Sequence, residues 1–166
     1  MRTLSLSDWN ADAKELRGAD EVVLIEANGL RYGDGATGFF RRLDTLTVPT
    51  VTVVSGQCDA SALALLASVS LGFAADDLRV EVAADTVLAL GLTSLLSAPP
   101  LRSLLFTQPD AAALRRCGLA QEGAPEEAAV RLADPSAALL VRSLRVAARS
   151  TPAQAREYDA ELRRLA

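Results

Sequence analysis

Histidine is missing from all 166 residues. Its absence removes the Ser-His-Asp triad, the Cys-His pair and any His-ligated metal, and with them the side chain that most often serves as a base near neutral pH. Lysine is almost as scarce. Lys14 is the only one, which excludes a Walker-type phosphate loop and leaves a single poor Schiff-base candidate. Cys58 and Cys117 are too few and too far apart for a disulfide framework or a zinc knuckle, and they read as buried thiols. Aromatic residues make up 4% of the chain, the net charge is −4 and no basic run occurs, so nucleic acid is not the expected partner. Polar residues interrupt every apolar run well before the roughly 20 residues that span a bilayer. Met1-Arg2-Thr3-Leu4 leads into no signal-peptide core. The expectation is a soluble, cytoplasmic protein with no membrane partner, no metal and no tightly bound cofactor. Any catalysis must come from carboxylates, hydroxyls and backbone amides.

What the chain does have is apolar residues, 50% of the total, enough to bury one sizeable core in a single α/β domain. Its centre is the stretch from Val48 to Ser70. Pro49 precedes Val51-Thr52-Val53-Val54, a β-branched run that reads as a buried strand. Ser55-Gly56-Gln57-Cys58-Asp59 reads as a turn, and Ala60 opens a helix of small residues and leucines. A strand that feeds a helix start presents unpaired N–H groups and the positive end of a helix dipole, which suits a phosphate, a carboxylate or a developing oxyanion. Upstream, a short amphipathic helix is expected with Ser7 as its cap, Trp9, Ala13 and Leu16 on one face and Gly18 closing it. Val22-Val23-Leu24-Ile25 follows as a strand buried on both faces, the habit of parallel sheets. Asn28 to Gly38 then forms a glycine-rich loop. Gly33-x-Gly35-x-x-Gly38 has the glycines of a dinucleotide fingerprint without its acidic ribose ligand, so a turn of close backbone approach is the better reading.

Two successive strand-loop-helix units of this kind resemble the crotonase superfamily, the enoyl-CoA hydratase/isomerase fold. Tyr32-Gly33-Asp34-Gly35-Ala36-Thr37 is similar to that family's aromatic-x-Ala-Gly-Ala-Asp loop. Val48-Pro49-Thr50-Val51 through Ser55-Gly56-Gln57-Cys58-Asp59-Ala60-Ser61-Ala62 is similar to its second strand and triple-glycine turn. Leu71-Gly72-Phe73-Ala74, Leu90-Gly91-Leu92 and Cys117-Gly118-Leu119 resemble later elements of the same fold. The resemblance implies a crotonase-like spiral of ββα units with C-terminal helices, and a chain that starts at the first helix, N-terminally truncated relative to the family. It also implies an oxyanion hole made by the backbone N–H groups of Asp34 and Ser61, which would bind a thioester carbonyl and stabilise its enolate. The ligand would be an acyl-CoA or an acyl-carrier thioester, and Arg41 and Arg42 would be the candidates to meet coenzyme A phosphates, although a solvated helix face suits them better.

The departures from the family pattern bear on activity. Where hydratases carry a first glutamate, this chain has Ala64. Where they carry a second, counting forward from Ala74 gives Ala83-Ala84 and counting back from Gly91 gives Val87. Asp59, Glu81 and Asp85 are the nearest acids and hence the candidate catalytic residues, each with the alternative of a solvated loop carboxylate. Ala60-Ser61-Ala62 puts side chains where the family has three glycines, and the short segment from Gly38 to Thr47 gives the pocket a reduced wall. Losing both acid/base groups would remove about two to four orders of magnitude for each. Three readings follow: a thioester-binding enzyme with noncanonical acid/base residues, an inactive crotonase-like subunit that binds or stabilises a partner enzyme, and an unrelated α/β binding domain.

The C-terminal part divides as a core over residues 1–133 and a helical segment over 134–166 of the same domain. Asp134-Pro135 and Thr151-Pro152 pair a cap residue with proline at the first helical position. One helix carries a broad apolar stripe of Ala137, Leu140, Val141, Leu144 and Val146-Ala147 beside Arg142, Arg145 and Arg149. The last places Ala155, Tyr158, Leu162 and Leu165 near one face. The resemblance favours a homotrimer or hexamer built through these helices.

Overall fold

The computed structural model describes residues 1–147 and 150–165, apart from the side chains at 153, 160 and 163–165. Arg149 and the side chains of Arg163, Arg164 and Leu165 therefore lie outside the described residues. The elements run β1 (Arg2–Leu6), α1 (Trp9–Glu15), β2 (Val23–Asn28), α2 (Ala36–Thr45), β3 (Thr50–Ser55), β4 (Gln57–Asp59), α3 (Ser61–Ser68), β5 (Leu71–Ala74), β6 (Arg79–Glu81) and α4 (Ala84–Ala89). Two short helices, α5 (Leu92–Leu95) and α6 (Pro99–Arg102), lead to α7 (Ala111–Arg116), α8 (Pro125–Arg131), α9 (Pro135–Ala147) and α10 (Pro152–Leu165). None of the described helices is long and apolar enough to cross a membrane.

A four-stranded parallel sheet in the order β1-β2-β3-β5 forms the centre, and a two-stranded parallel sheet pairs β4 with β6. Parallel pairing explains why β2 does not alternate. Val23, Ile25 and Ala27 join the cluster with α1, α2 and α3, while Leu24 packs with Val51, Phe73 and the α8 residues Ala128 and Ala129 on the other side. The chain begins with β1 rather than with the expected helix, and its Leu4 and Leu6 reach the core while Thr3 and Ser5 face solvent. The cap of α1 is Asp8 rather than Ser7: its carboxylate accepts from Ala11 N at 2.8 Å. Gly38, expected in the loop, is already inside α2.

Two local features set the site. Gly56, at φ +73°, turns the chain out of β3 and into β4, and a Cβ there would lie 2.5 Å from Asn28 Oδ1. The segment read as a plain turn thus contains a strand of the second sheet. Immediately after it, α3 is buried on every side through its first six residues, from Ser61 to Leu66. A helix that is apolar all round belongs in a core.

The C-terminal hairpin of α9 and α10 meets the rest of the chain through Ala137 and Val141, both 8% exposed, and through Arg145, which donates to Leu43 O at 3.3 Å. Ser143 Oγ donates to Asp159 across the hairpin. Leu140 and Leu144, one turn apart on α9, remain exposed.

Gly72 in β5 is required for space. A Cβ would stand 2.6 Å from Leu66 Cδ2 and 3.2 Å from Leu119 O, and Gly72 O accepts from Gln121 N at 2.7 Å. Gly72→Ala should cost roughly 1–3 kcal/mol by overpacking. Gly38→Ala, where nothing lies within 4 Å, should instead stabilise α2 by about 0.5–1 kcal/mol. Urea denaturation of the two variants beside the wild type checks both signs.

Candidate functional site

The site forms where the loop after β2 runs beside β4. Leu30, 6% exposed, anchors that loop: its N–H donates to Cys58 Sγ at 3.2 Å and its carbonyl accepts from Asp59 N at 3.0 Å. Gly29, at φ +63°, makes the bend before it. Two residues beyond Leu30, the Tyr32 N–H points at the Asp59 carboxylate and donates to Oδ2 at 2.5 Å. The other oxygen of the same carboxylate accepts from Ser61 N, the first residue of α3, at 2.8 Å. One anionic group therefore bridges two backbone amides that belong to different loops. Hydrogen bonds to an ionised acceptor are about twice as strong as neutral ones, and here the dipole of α3 adds to them.

The surroundings sort the residues expected from the sequence. Asp59 and Glu81 come together, since they face each other in the β4-β6 register. Glu81 is exposed and pairs with Arg31 at 3.2 Å. Asp85 stays with its own helix start, where Oδ1 accepts from Thr86 N at 2.9 Å. Asp34 is exposed, and its carbonyl accepts from Asn10 Nδ2 at 3.4 Å. The first-loop amide that shares an acceptor with Ser61 is Tyr32's, not Asp34's. Arg41 is exposed and Arg42 half-buried along α2, and neither joins the amide and carboxylate cluster.

Access is as informative as bonding. Ser61 is 0% exposed, as are Ala60 and Ala62, and Ser61 Oγ is a buried hydroxyl with no hydrogen-bond partner. Ala64, at the position of the family's first glutamate, is 2% exposed within the core. Open grooves of about 530 and 540 Å³ lie around α7, and one of about 520 Å³ runs past Phe73, Arg115 and Gln121. None of these three grooves is lined by Tyr32, Asp59 or Ser61.

Tyr32, Arg31 and Leu30 were not singled out for these roles by sequence. A readable signal existed at Asp59-Ala60-Ser61, because an aspartate two residues before a helical N–H commonly folds its side chain back onto that amide. Leu30, as the buried apolar residue of the loop, was the second.

With this geometry established, solved structures supply the comparison. A candidate enoyl-CoA hydratase from Streptomyces coelicolor A3(2) matches at TM-score 0.79 and 16% identity, over 98% of this chain and 82% of that one. An enoyl-CoA hydratase/isomerase family protein from Silicibacter pomeroyi matches at TM-score 0.71 and 17% identity, over 96% and 93%. An enoyl-CoA hydratase/isomerase from Cupriavidus metallidurans CH34 also matches at TM-score 0.71 and 17% identity, over 97% and 79%. This chain has the crotonase fold. No family model and no curated protein matches its sequence. The crotonase fold in this chain thus persists at an identity where residue roles have to be argued from its own atoms.

Cys58, at the middle of β4, illustrates this. Burial pushes its thiol up, opposed by the backbone N–H groups of Leu30 and Gly29, and Sγ donates to Ser55 O at 3.3 Å. A neutral, buried thiol is packing rather than a nucleophile. In the native crotonase-fold protein, Cys58 should resist thiol reagents near neutral pH and become labelled only on unfolding. Mass-spectrometric mapping of labelled Cys58 and Cys117 checks this, and rapid native labelling of Cys58 would contradict it.

Proposed function

We propose that this crotonase-fold chain is a non-catalytic subunit that binds or stabilises a partner enzyme. The observation that carries the reading is the Asp59 carboxylate held between the Tyr32 and Ser61 amides beside a fully buried helix start. Stabilising an enolate requires those donors to be aimed at the place where charge develops on substrate oxygen. Here they already hold an anion of the protein's own.

General acid/base groups are lacking as well. Hydration needs one carboxylate to activate water and an acid to deliver a proton to the α-carbon. Ala64 is sealed in the core, Asp85 accepts from the neighbouring Thr86 amide in the first turn of α4 and Glu81 is drawn to Arg31. Leu140 and Leu144, 63% and 68% exposed on α9, support assembly, whether as a homotrimer or hexamer or onto the partner.

A second reading keeps one observation on its side. Two amides from separate loops that converge on one anionic oxygen pair have the architecture of an oxyanion hole. In that reading the chain binds an acyl-CoA or acyl-carrier thioester and polarises it, with Arg41 and Arg42 reaching coenzyme A phosphates from α2 and Glu81 or Asp59 as the noncanonical base.

Hydration and double-bond isomerisation assays on short enoyl-CoAs, with calorimetric titration of the same ligands, separate the two. The non-catalytic reading predicts a folded protein with no turnover above the uncatalysed rate, and measurable turnover would overturn it. Light scattering on the wild type and on a Leu140→Asp, Leu144→Asp variant should show an assembly that the double substitution reduces.

A further inference from the structure

The two edges of the main sheet are finished differently. At the β5 edge the chain closes the outward main-chain oxygens itself: Gly72 O accepts from Gln121 N at 2.7 Å, beside a single parallel bridge between Phe73 and Gln121, and Ala74 O accepts from the Arg115 guanidinium at 2.5 Å. β1 forms the opposite edge and is paired with β2. Arg2 N donates to Val22 O at 2.9 Å, and the parallel register alternates from there. Arg2, Leu4 and Leu6 therefore aim their main-chain groups at β2, while Thr3 and Ser5 aim theirs outward. The side chains of Thr3 and Ser5 are exposed as well. Common guards of an open edge are missing, since Arg2 to Ser7 contains no proline and no lysine and the register with β2 has no bulge. We infer that this edge pairs with the same edge of a second copy of the chain, antiparallel and about a two-fold axis at Leu4, so that the two four-stranded sheets become one continuous sheet.

Main-chain geometry and charge select this occupant. Opposed residues of a hydrogen-bonded antiparallel pair exchange both of their N–H···O bonds. With Leu4 on the axis, Thr3 of each copy stands opposite Ser5 of the other, and every outward N–H and C=O of β1 is used. Such a contact is isologous and closes on itself, so it stops at two copies. Charge runs the right way for antiparallel pairing. The strand starts at Arg2 and leads into Asp8, whose backbone is still extended at φ −141° and ψ 114°. In this register Leu6 of the second copy lies across from Arg2, and its Asp8 lies on the diagonal, roughly 7–8 Å away and within reach of a long side chain. Arg2 meets Glu15 of its own chain at 3.7 Å in an exposed pair, and its guanidinium has donors to spare. A parallel arrangement would instead set like charge beside like. Leu4 and Leu6 are already buried in their own core, so the copies meet through main-chain bonds and need no exposed apolar patch.

Light scattering and amide hydrogen exchange resolved at Thr3 and Ser5 test this, in the Leu140→Asp, Leu144→Asp protein so that association through α9 does not contribute. The expected mass is twice that of the chain, falling to that of one chain on dilution, with both amides protected while the dimer persists. Ser5→Pro removes an outward N–H and no β1-β2 bond, because an edge strand accepts proline where its N–H faces away from the sheet. It should keep a native circular dichroism spectrum and weaken association at least about tenfold. Arg2→Asp leaves every main-chain group in place and should also weaken association, by opposing Asp8 of the second copy. The mass of one chain at every concentration would overturn the inference, whether the Thr3 and Ser5 amides exchange freely or are covered by the chain itself. A dimer with both amides unprotected would overturn it too, as would one that a folded Ser5→Pro or Arg2→Asp leaves as tight as before.

Discussion

A carboxylate held between two backbone amides is the interaction on which the arrangement of this molecule's functional end depends. The Tyr32 N–H comes from the loop after β2 and the Ser61 N–H from the start of α3, and Asp59 joins them from the end of β4. The parallel pairing of β2 with β3, in which Asn28 sits opposite Ser55, brings both segments to the same end of the sheet. Gly56 then turns the chain so that β4 runs beside the loop rather than continuing the main sheet. Each step is backbone geometry, and the carboxylate is the side chain that uses it.

The burial of α3 gives that contact its consequences. A helix packed on all sides has no solvent to satisfy its first N–H groups, so an internal acceptor is needed. Asp59 provides it at Ser61. The same burial makes a glutamate at position 64 unfavourable, since an ionised carboxylate inside an apolar cluster carries a large desolvation cost. Alanine at 64 and aspartate at 59 are thus two sides of one solution. The chain has a tightly packed central helix whose start is closed by its own acid, on a fold whose solved relatives include enoyl-CoA hydratase/isomerase structures.

Much of the fold was legible because its strands and helices carry strong local signals. The β-branched runs at Val22–Ile25 and Val51–Val54 became β2 and β3, and Leu71–Ala74 became β5. Prolines after Asp134 and Thr151 marked α9 and α10. What was missed depends on tertiary pairing. β1 has only Leu4 and Leu6 to announce it, and β4 is three residues inside a segment of turn chemistry. The site was legible in its parts and not in its pairing. Ser61 and Asp59 were singled out, whereas the Tyr32 amide that shares the Asp59 carboxylate with Ser61 was not, because that contact depends on how the loop after β2 lies against β4. In the folded chain Tyr32 is 39% exposed and Leu30 is 6% exposed.

The central claim concerns two hydrogen bonds, and it can be measured at those bonds. In isotope-labelled wild-type protein, scalar couplings across hydrogen bonds can be recorded from the amide nitrogens of Tyr32 and Ser61 to the side-chain carboxyl carbon of Asp59. The account predicts that both couplings are present in the free protein near neutral pH, with both amides slow to exchange with solvent. Absence of both couplings, with the Tyr32 and Ser61 amides exchanging freely, would contradict it.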